Sequence, residues 1–334
     1  MYSTIMKRML MGISFHTITV MCLMDKSVSL NNRRSSLVLG IVKRNSKDLN
    51  YLHPDDFDLN HPSFPSRRQM MLDIIQGSGN AVMAGCCWSC TPYAAHGLAQ
   101  LSSPSPEVLS LYDLPRNPLK DAAFAQGMAV GMVDYEREVY ATKKRLFQAL
   151  FSSLEGISEP VIVEVGMGSF PNALYYKQGH GLDIIGVDPN DRMTGYARDN
   201  AERAGLLAKD SLRIVHGVSE ALPLDDASCD AVVCTLTLCS VVDPERSVSE
   251  IKRVLKPGGK FLFFEHVLSE TDSIFAQKQI LATPSQVQRA DGCHLDRRTG
   301  EVIRKAGFQK LDLEYMELKN FGFLNPTVCG IATA

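Results

Sequence analysis

The stretch VIVEVGMGSF, Val161 to Phe170, holds the residues most suited to ligand chemistry. A β-branched run carries Glu164, and Gly166 and Gly168 follow at once. Glycines at this spacing let a backbone turn sharply and approach a ligand closely. A dinucleotide loop, G-x-G-x-x-G, adds a third glycine for close helix packing and faces a pyrophosphate with its helix N-terminus. Here GMGSFPN puts Phe170, Pro171 and Asn172 in that place instead. A carboxylate beside such a loop repels a diphosphate and favours a cation.

The next apolar run ends in IIGVDPN, with Asp188 twenty-four residues beyond Glu164. A carboxylate there can accept both hydroxyls of a ribose, whichever adenosine ligand carries it. S-adenosylmethionine carries an α-ammonium and a sulfonium, whose sign fits Glu164, and a ribose whose hydroxyls fit Asp188. Further candidates lie downstream. Glu265 and His266 follow FLFF, and His266 is the group whose charge changes near physiological pH. Cys239 follows an apolar run and reads as a small buried hydrophobe or a nucleophile at the site edge. Asp291, Cys293 and His294 in DGCHL read as capping groups for a helix starting near Asp296.

These residues need a frame. Apolar runs at 161–165, 183–187, 212–215, 230–236 and 260–264 alternate with helical stretches, the clearest at 191–205 and 244–255. KPGG ends the second of these helices. Strands alternating with helices predict a parallel sheet with crossover helices, a doubly wound α/β fold. FQKLDLEYM and NPTVCGIATA read as two further strands in a C-terminal antiparallel hairpin, giving a mostly parallel seven-stranded sheet. In such folds ligands sit beyond the carboxyl ends of the strands, where the strand order reverses. Ahead of the first strand, Met132 to Phe151 places Tyr135, Val139, Leu146, Phe147 and Leu150 at helical spacing. This predicts a helical cap over 126–156 that lies across the loops as a lid, ahead of a ligand-binding domain at 157–334.

The combination of TLTLCSV, EIKRVLKPGGKFLFFEHV and DGCHLDRRTGEVIRKAGF, with E-x-G-x-G and the strand-terminal Asp188, resembles class I S-adenosylmethionine-dependent methyltransferases. Within them it is similar to the methyltransferase-like seven group and its plant-type relatives, over Pro160 to Ala334. The resemblance implies that Glu164, Gly166 and Gly168 hold the methionine half of the cofactor. It implies that Asp188 holds the ribose, that Pro189 and Asn190 wall the adenine, and that groups around Ser219 and Glu220 read the adenine ring. Many members carry an acid where this chain has Val218.

Composition limits the partners. Thirty-five basic and thirty-seven acidic residues give a net charge of −2, which offers no field for bulk nucleic-acid binding. Nine scattered cysteines favour reduced thiols over a disulfide framework. Residues 1–47 hold eight Lys or Arg and one acid, Asp25, with many Ser, Thr and Asn. That is the composition of an organelle-import leader, expected to be disordered. A chloroplast is the expected destination, with a mitochondrion or the endoplasmic reticulum membrane surface as alternatives. Residues 48–125 read as an irregular extension, and the Cys87–Cys90 pair within it lacks the second pair that a zinc site needs.

The expected activity is methyl transfer from S-adenosylmethionine to a small-molecule acceptor, with a thiol foremost and His266 placed to take or steer its proton. Carbon or oxygen methylation of a quinone-like or phenolic acceptor is the alternative within the same chemistry. A degenerate fold that binds a ligand or partner without turnover is the alternative of another class, kept open by Phe170 and Val218. A monomer is expected, and nothing in the sequence supports a membrane contact.

Overall fold

The computed structural model describes residues 99–176, 181–208 and 210–334. The leader, the Cys87–Cys90 pair and the extension up to residue 98 lie outside the described residues. Among the described residues two short helices come first, α1 (Pro106–Tyr112) and α2 (Pro118–Gly131), then the long α3 (Val133–Ser153). The expected boundary at 125/126 therefore falls inside α2. Asn117 caps α2 by accepting from Leu119 and Lys120, and Pro118 opens it, a start signal that outweighs the irregular composition before it.

Seven strands follow: β1 (Val161–Val165), β2 (Asp183–Asp188), β3 (Ser211–His216), β4 (Cys229–Thr235), β5 (Leu255–His266), β6 (Lys310–Met316) and β7 (Thr327–Thr333). They form one sheet in the order β3-β2-β1-β4-β5-β7-β6. β1 to β5 are parallel, and β7 runs antiparallel between β5 and β6. The doubly wound sheet and its C-terminal antiparallel pair are as expected. The strand order reverses between β1 and β4, so their carboxyl ends open the crevice where ligands bind.

The crossover helices are α4 (Thr194–Arg203), α5 (Pro244–Val254), α6 (Ser273–Arg289) and α7 (Thr299–Lys305). α5 begins where Asp243 accepts from the Arg246 amide at 2.9 Å, with Pro244 at its first position. Removing that cap costs about 1 kcal/mol. α5 ends at Val254, ahead of KPGG. The helix at α6 was not legible in the sequence, for its apolar residues Ile274, Ile280 and Leu281 point outward.

Strand alternation sorts the core into two layers. Ile162, Ile184, Val233, Leu262 and Phe264 face α3, whereas Val163, Val165, Ile185, Val232 and Phe263 face α5. α3 buries Tyr135, Val139, Leu146, Phe147, Leu150 and Phe151, and Phe147 stacks on Tyr175 at 5.1 Å. Truncating a side chain so placed costs about 3–5 kcal/mol. Most of α3 is thus a wall of the core and not the expected lid, because its apolar stripe is satisfied by the sheet.

Candidate active site

The glycine loop joins β1 to a 3-10 turn at Pro171–Tyr175. Gly166, Gly168 and Phe170 all have left-handed backbones, with φ of 63°, 57° and 59°. A Cβ on Gly166 would meet Thr237 Oγ1 at 2.2 Å, whereas one on Gly168 would meet nothing nearer than the Gly166 carbonyl at 3.9 Å. The first glycine is therefore needed for packing against the end of β4, and the second opens onto free space. Phe170 turns inward, fully buried, with its ring edge-on to Tyr176 at 5.3 Å. The missing third glycine thus marks a core contact, and the loop still closes.

Glu164 is not the open carboxylate that the sequence suggests. It shares strand parity with Ile162, so it points under the loop toward α3. It is 2% exposed, accepting from Asn172 Nδ2 at 2.9 Å and from the Tyr176 hydroxyl at 2.6 Å. Burial pushes its pKa up to about 7, against the lowering by those two donors and the Lys143 charge. Behind it stands a buried chain that sequence reasoning missed. Lys143 donates to Asn172 Oδ1 at 3.0 Å and pairs with Glu136 at 2.9 Å. The signal was present: Glu136 and Lys143 fall in the same 136, 139, 143, 146, 150 stripe as the apolar residues of α3.

Asp188 ends β2 beneath the loop. Its Oδ2 accepts from the Gly168 amide and its Oδ1 from the Asn190 amide, both at 2.8 Å. Burial raises its pKa, opposed by those two amides and by Arg116. Each oxygen keeps a further lone pair, enough for a vicinal diol. Pro189 is half-buried, and Asn190 caps the turn after β2 while donating to the Asp121 carbonyl at 3.1 Å. The start of α2 thus lies against the expected adenine wall. Arg116 extends this strap, pairing with Asp121 at 3.0 Å and Asp291 at 2.8 Å. His216 ties it again, lying 3.1 Å from Asp113 and 3.0 Å from Asp191.

Ser219 and Glu220 have side chains that turn away from the expected adenine position. Glu220 accepts from the Val242 and Asp243 amides at 2.6 and 3.1 Å, and Ser219 meets the Ser247 hydroxyl at 2.8 Å. They anchor the start of α5.

At the ends of β4 and β5 a second cluster gathers. Glu265 is fully buried, accepts from the Thr237 amide at 2.9 Å, and leaves Oε2 without a partner among the described residues. Burial pushes its pKa up to about 7 against the lowering by the Thr237 and Leu238 amides. His266 is 2% exposed, with Nε2 3.2 Å from Cys293 Sγ, and its Nδ1 and the buried Tyr135 hydroxyl have no partner among the described residues. The DGCHL segment does not cap a helix as expected. α7 starts later, at Thr299, with no side-chain cap, since Asp291 is taken by Arg116 and Cys293 by His266. His294 instead meets Asp296 at 3.3 Å.

A methyltransferase domain model matches residues 163–263. Thiol S-methyltransferase TMT1B of Rattus norvegicus is 33% identical over 199 residues, covering 59% of this chain and 80% of that protein. Thiol S-methyltransferase TMT1A of Homo sapiens is 34% identical over 202 residues, covering 58% and 80%. The chain belongs to the class I S-adenosylmethionine-dependent methyltransferases. A ubiquinone/menaquinone biosynthesis C-methyltransferase, UbiE of Brucella anthropi, matches over less, 34% identical across 36% of this chain and 46% of that protein. For this methyltransferase the site fits the cofactor that the family uses. Gly168 opens onto free space, Asp188 keeps lone pairs for a diol, and no basic residue of VIVEVGMGSF stands ready for a phosphate.

Proposed function

We propose that this methyltransferase acts on the sulfur of a small, uncharged or weakly acidic thiol. The observation that carries the reading is the match to thiol S-methyltransferases across four-fifths of their length. The acceptor side agrees with it. TLTLCSV, FFEHV and DGCHL supply Leu, Val, Phe and Cys, and the cations beside them are committed, Lys143 over the Phe264 ring to Glu136 and Asn172. Arg116 is held by Asp121 and Asp291, and Arg297 donates to the Leu238 and Val241 carbonyls. A polyanionic acceptor would leave charge unpaired there, which is costly in a closed site.

Bound S-adenosylmethionine would supply an activated methyl group on a sulfonium. Gly166 and Gly168 would hold its methionine half by letting the loop backbone approach it closely, with Glu164 acting from beneath the loop. Asp188 would hold the ribose, Pro189 and Asn190 would border the adenine, and backbone groups near Ser219 and Glu220 would read its edge. His266 and Glu265 would border the acceptor, with His266 steering the acceptor's proton. The protein's work is then to orient the acceptor and exclude water. An organelle-import leader at 1–47, with delivery to the chloroplast, and a monomeric state belong to the same reading. The leader rests on its basic, Ser-rich and acid-poor composition, and its destination on the resemblance to plant-type relatives.

The test is a competition. The full chain is incubated with methyl-labelled S-adenosylmethionine and an equimolar mixture of a thiol, a phenol, a quinol and an amine. The reading expects label on sulfur in large excess. Label mainly on oxygen, carbon or nitrogen would overturn it.

A further inference from the structure

Cys239, His266 and Cys293 come from three separate parts of the chain, the turn after β4, the last residue of β5 and the loop before α7. Their two sulfurs and a ring nitrogen all lie within 4.8 Å of one another. His266 Nε2 and Cys293 Sγ are 3.2 Å apart. All three are buried, at 2%, 2% and 7% exposure. Two thiols and an imidazole converging in this way form a donor set for zinc. With zinc–sulfur bonds of about 2.3 Å and zinc–nitrogen bonds of about 2.0 Å, tetrahedral donors stand about 3.5–3.8 Å apart. The cluster thus needs a contraction of at most about 1.3 Å along its widest side.

The surroundings suit the same ion. Gln286 Nε2 donates to Cys293 Sγ at 3.6 Å, and the Ser240 hydroxyl lies 3.5 Å from Cys239 Sγ. Donors at this distance stabilise thiolates and orient them as metal ligands. Among the described residues the group has three members and no fourth. Closed structural zinc sites have four protein ligands, whereas catalytic ones keep a position open. The cluster also sits at the carboxyl ends of β4 and β5, beside Thr237, which packs on Gly166.

We infer that Cys239, His266 and Cys293 bind a zinc ion whose open fourth position takes the sulfur of the acceptor thiol. The inference rests on the thiol reading above and gives His266 a ligand's part in it. A thiol that coordinates zinc loses its S–H proton to solvent and is held as the thiolate. Its sulfur then forms the new bond to the methyl carbon as that carbon's bond to the sulfonium breaks. The breaking bond's electron pair stays on the departing thioether sulfur. Zinc remains divalent throughout, and the neutral S-methyl product, a weaker ligand than a thiolate, leaves.

The experiment uses the full chain, purified under reducing conditions and loaded with Zn²⁺, with elemental analysis of the bound metal. Exchange for Co²⁺ gives an optical readout independent of activity. One metal per chain is expected, with a sulfur-to-cobalt charge-transfer band that weakens in C239S and in C293S. Mercaptoethanol should perturb the cobalt ligand-field bands. Should a cysteine variant not fold, chelating the metal from the wild type and restoring it with Co²⁺ must remove and return the same band. Reduced protein that binds no stoichiometric zinc overturns the inference. So does metal-free protein that methylates thiols at the full rate, which leaves the thiol reading standing. Label on phenol alone, with zinc bound, sinks the thiol reading and the fourth-position claim together.

Discussion

Replacing Lys143 by Met tests the buried chain beneath the glycine loop. Lys143 is 1% exposed and serves two acceptors, Glu136 at 2.9 Å and Asn172 Oδ1 at 3.0 Å. Methionine fills much of the same volume, so the loss is electrostatic. It leaves Glu136, itself 5% exposed, as a buried carboxylate without a counter-charge, and breaking such a pair costs about 3–5 kcal/mol. The unsatisfied Asn172 oxygen would cost about 1–3 kcal/mol alone, but the two losses share one network and do not add. We expect K143M to lose about 3–5 kcal/mol at neutral pH, read by urea unfolding followed through far-ultraviolet circular dichroism. The double variant E136Q/K143M, which removes both charges, should regain most of the loss. A single variant within about 1 kcal/mol of wild type, or a double variant no better than the single, would refute the reasoning.

Other expectations follow from the same geometry. D188N turns one carboxylate oxygen into a donor facing a backbone amide, so S-adenosylmethionine affinity by calorimetry should fall about 10- to 100-fold; unchanged affinity would remove Asp188 from the cofactor site. Glu164 has a folded pKa of about 7, above the ordinary carboxylate value. The folded state therefore binds this proton more tightly, and stability falls as pH rises from about 4.5 to 7, by about 3 kcal/mol in unfolding experiments. E164Q should flatten that slope. At His216 partial burial works to lower the pKa, but the carboxylates of Asp191 and Asp113 outweigh it and raise it. The clasp from Asp113 through His216 to Asp191 is thus fully present at low pH and loosens as pH rises through that raised value. Limited proteolysis before α2 should quicken there, and H216A should abolish the pH effect. G166A should prevent the loop from closing on Thr237, seen as a large drop in melting temperature, whereas G168A should mainly weaken cofactor binding.

Much of this was legible in the sequence because it is local. The β-branched runs, the Asp243 cap with Pro244, and KPGG mark β1, α5 and β5 without tertiary help. E-x-G-x-G and the strand-terminal Asp188 locate the crevice because a loop after a strand must fall at its carboxyl end. What failed depended on facing. Glu164 is drawn beneath the loop by strand parity, Glu220 turns toward the Val242 and Asp243 amides ahead of α5, and Ser219 turns toward the Ser247 hydroxyl. None of these preferences shows in residue type. Glu136 and Lys143 were hidden as ordinary surface charges, though their place in the apolar stripe of α3 gave them away. Cys239, His266 and Cys293 share no spacing at all. Only the adjacency of β4 and β5, with the loop before α7 folded against them, brings their donor atoms together.

The central claim is methyl transfer from S-adenosylmethionine to sulfur, and a single-turnover measurement reaches it most directly. Purified full-chain protein, in excess over methyl-labelled S-adenosylmethionine, is mixed with a small uncharged thiol, and the products are separated by mass. The account predicts one equivalent each of S-adenosylhomocysteine and labelled S-methyl thioether, both lost together in D188A. Cofactor that binds and is recovered intact, with no label on any thiol, would contradict it and point instead to a methyltransferase fold that binds without turnover.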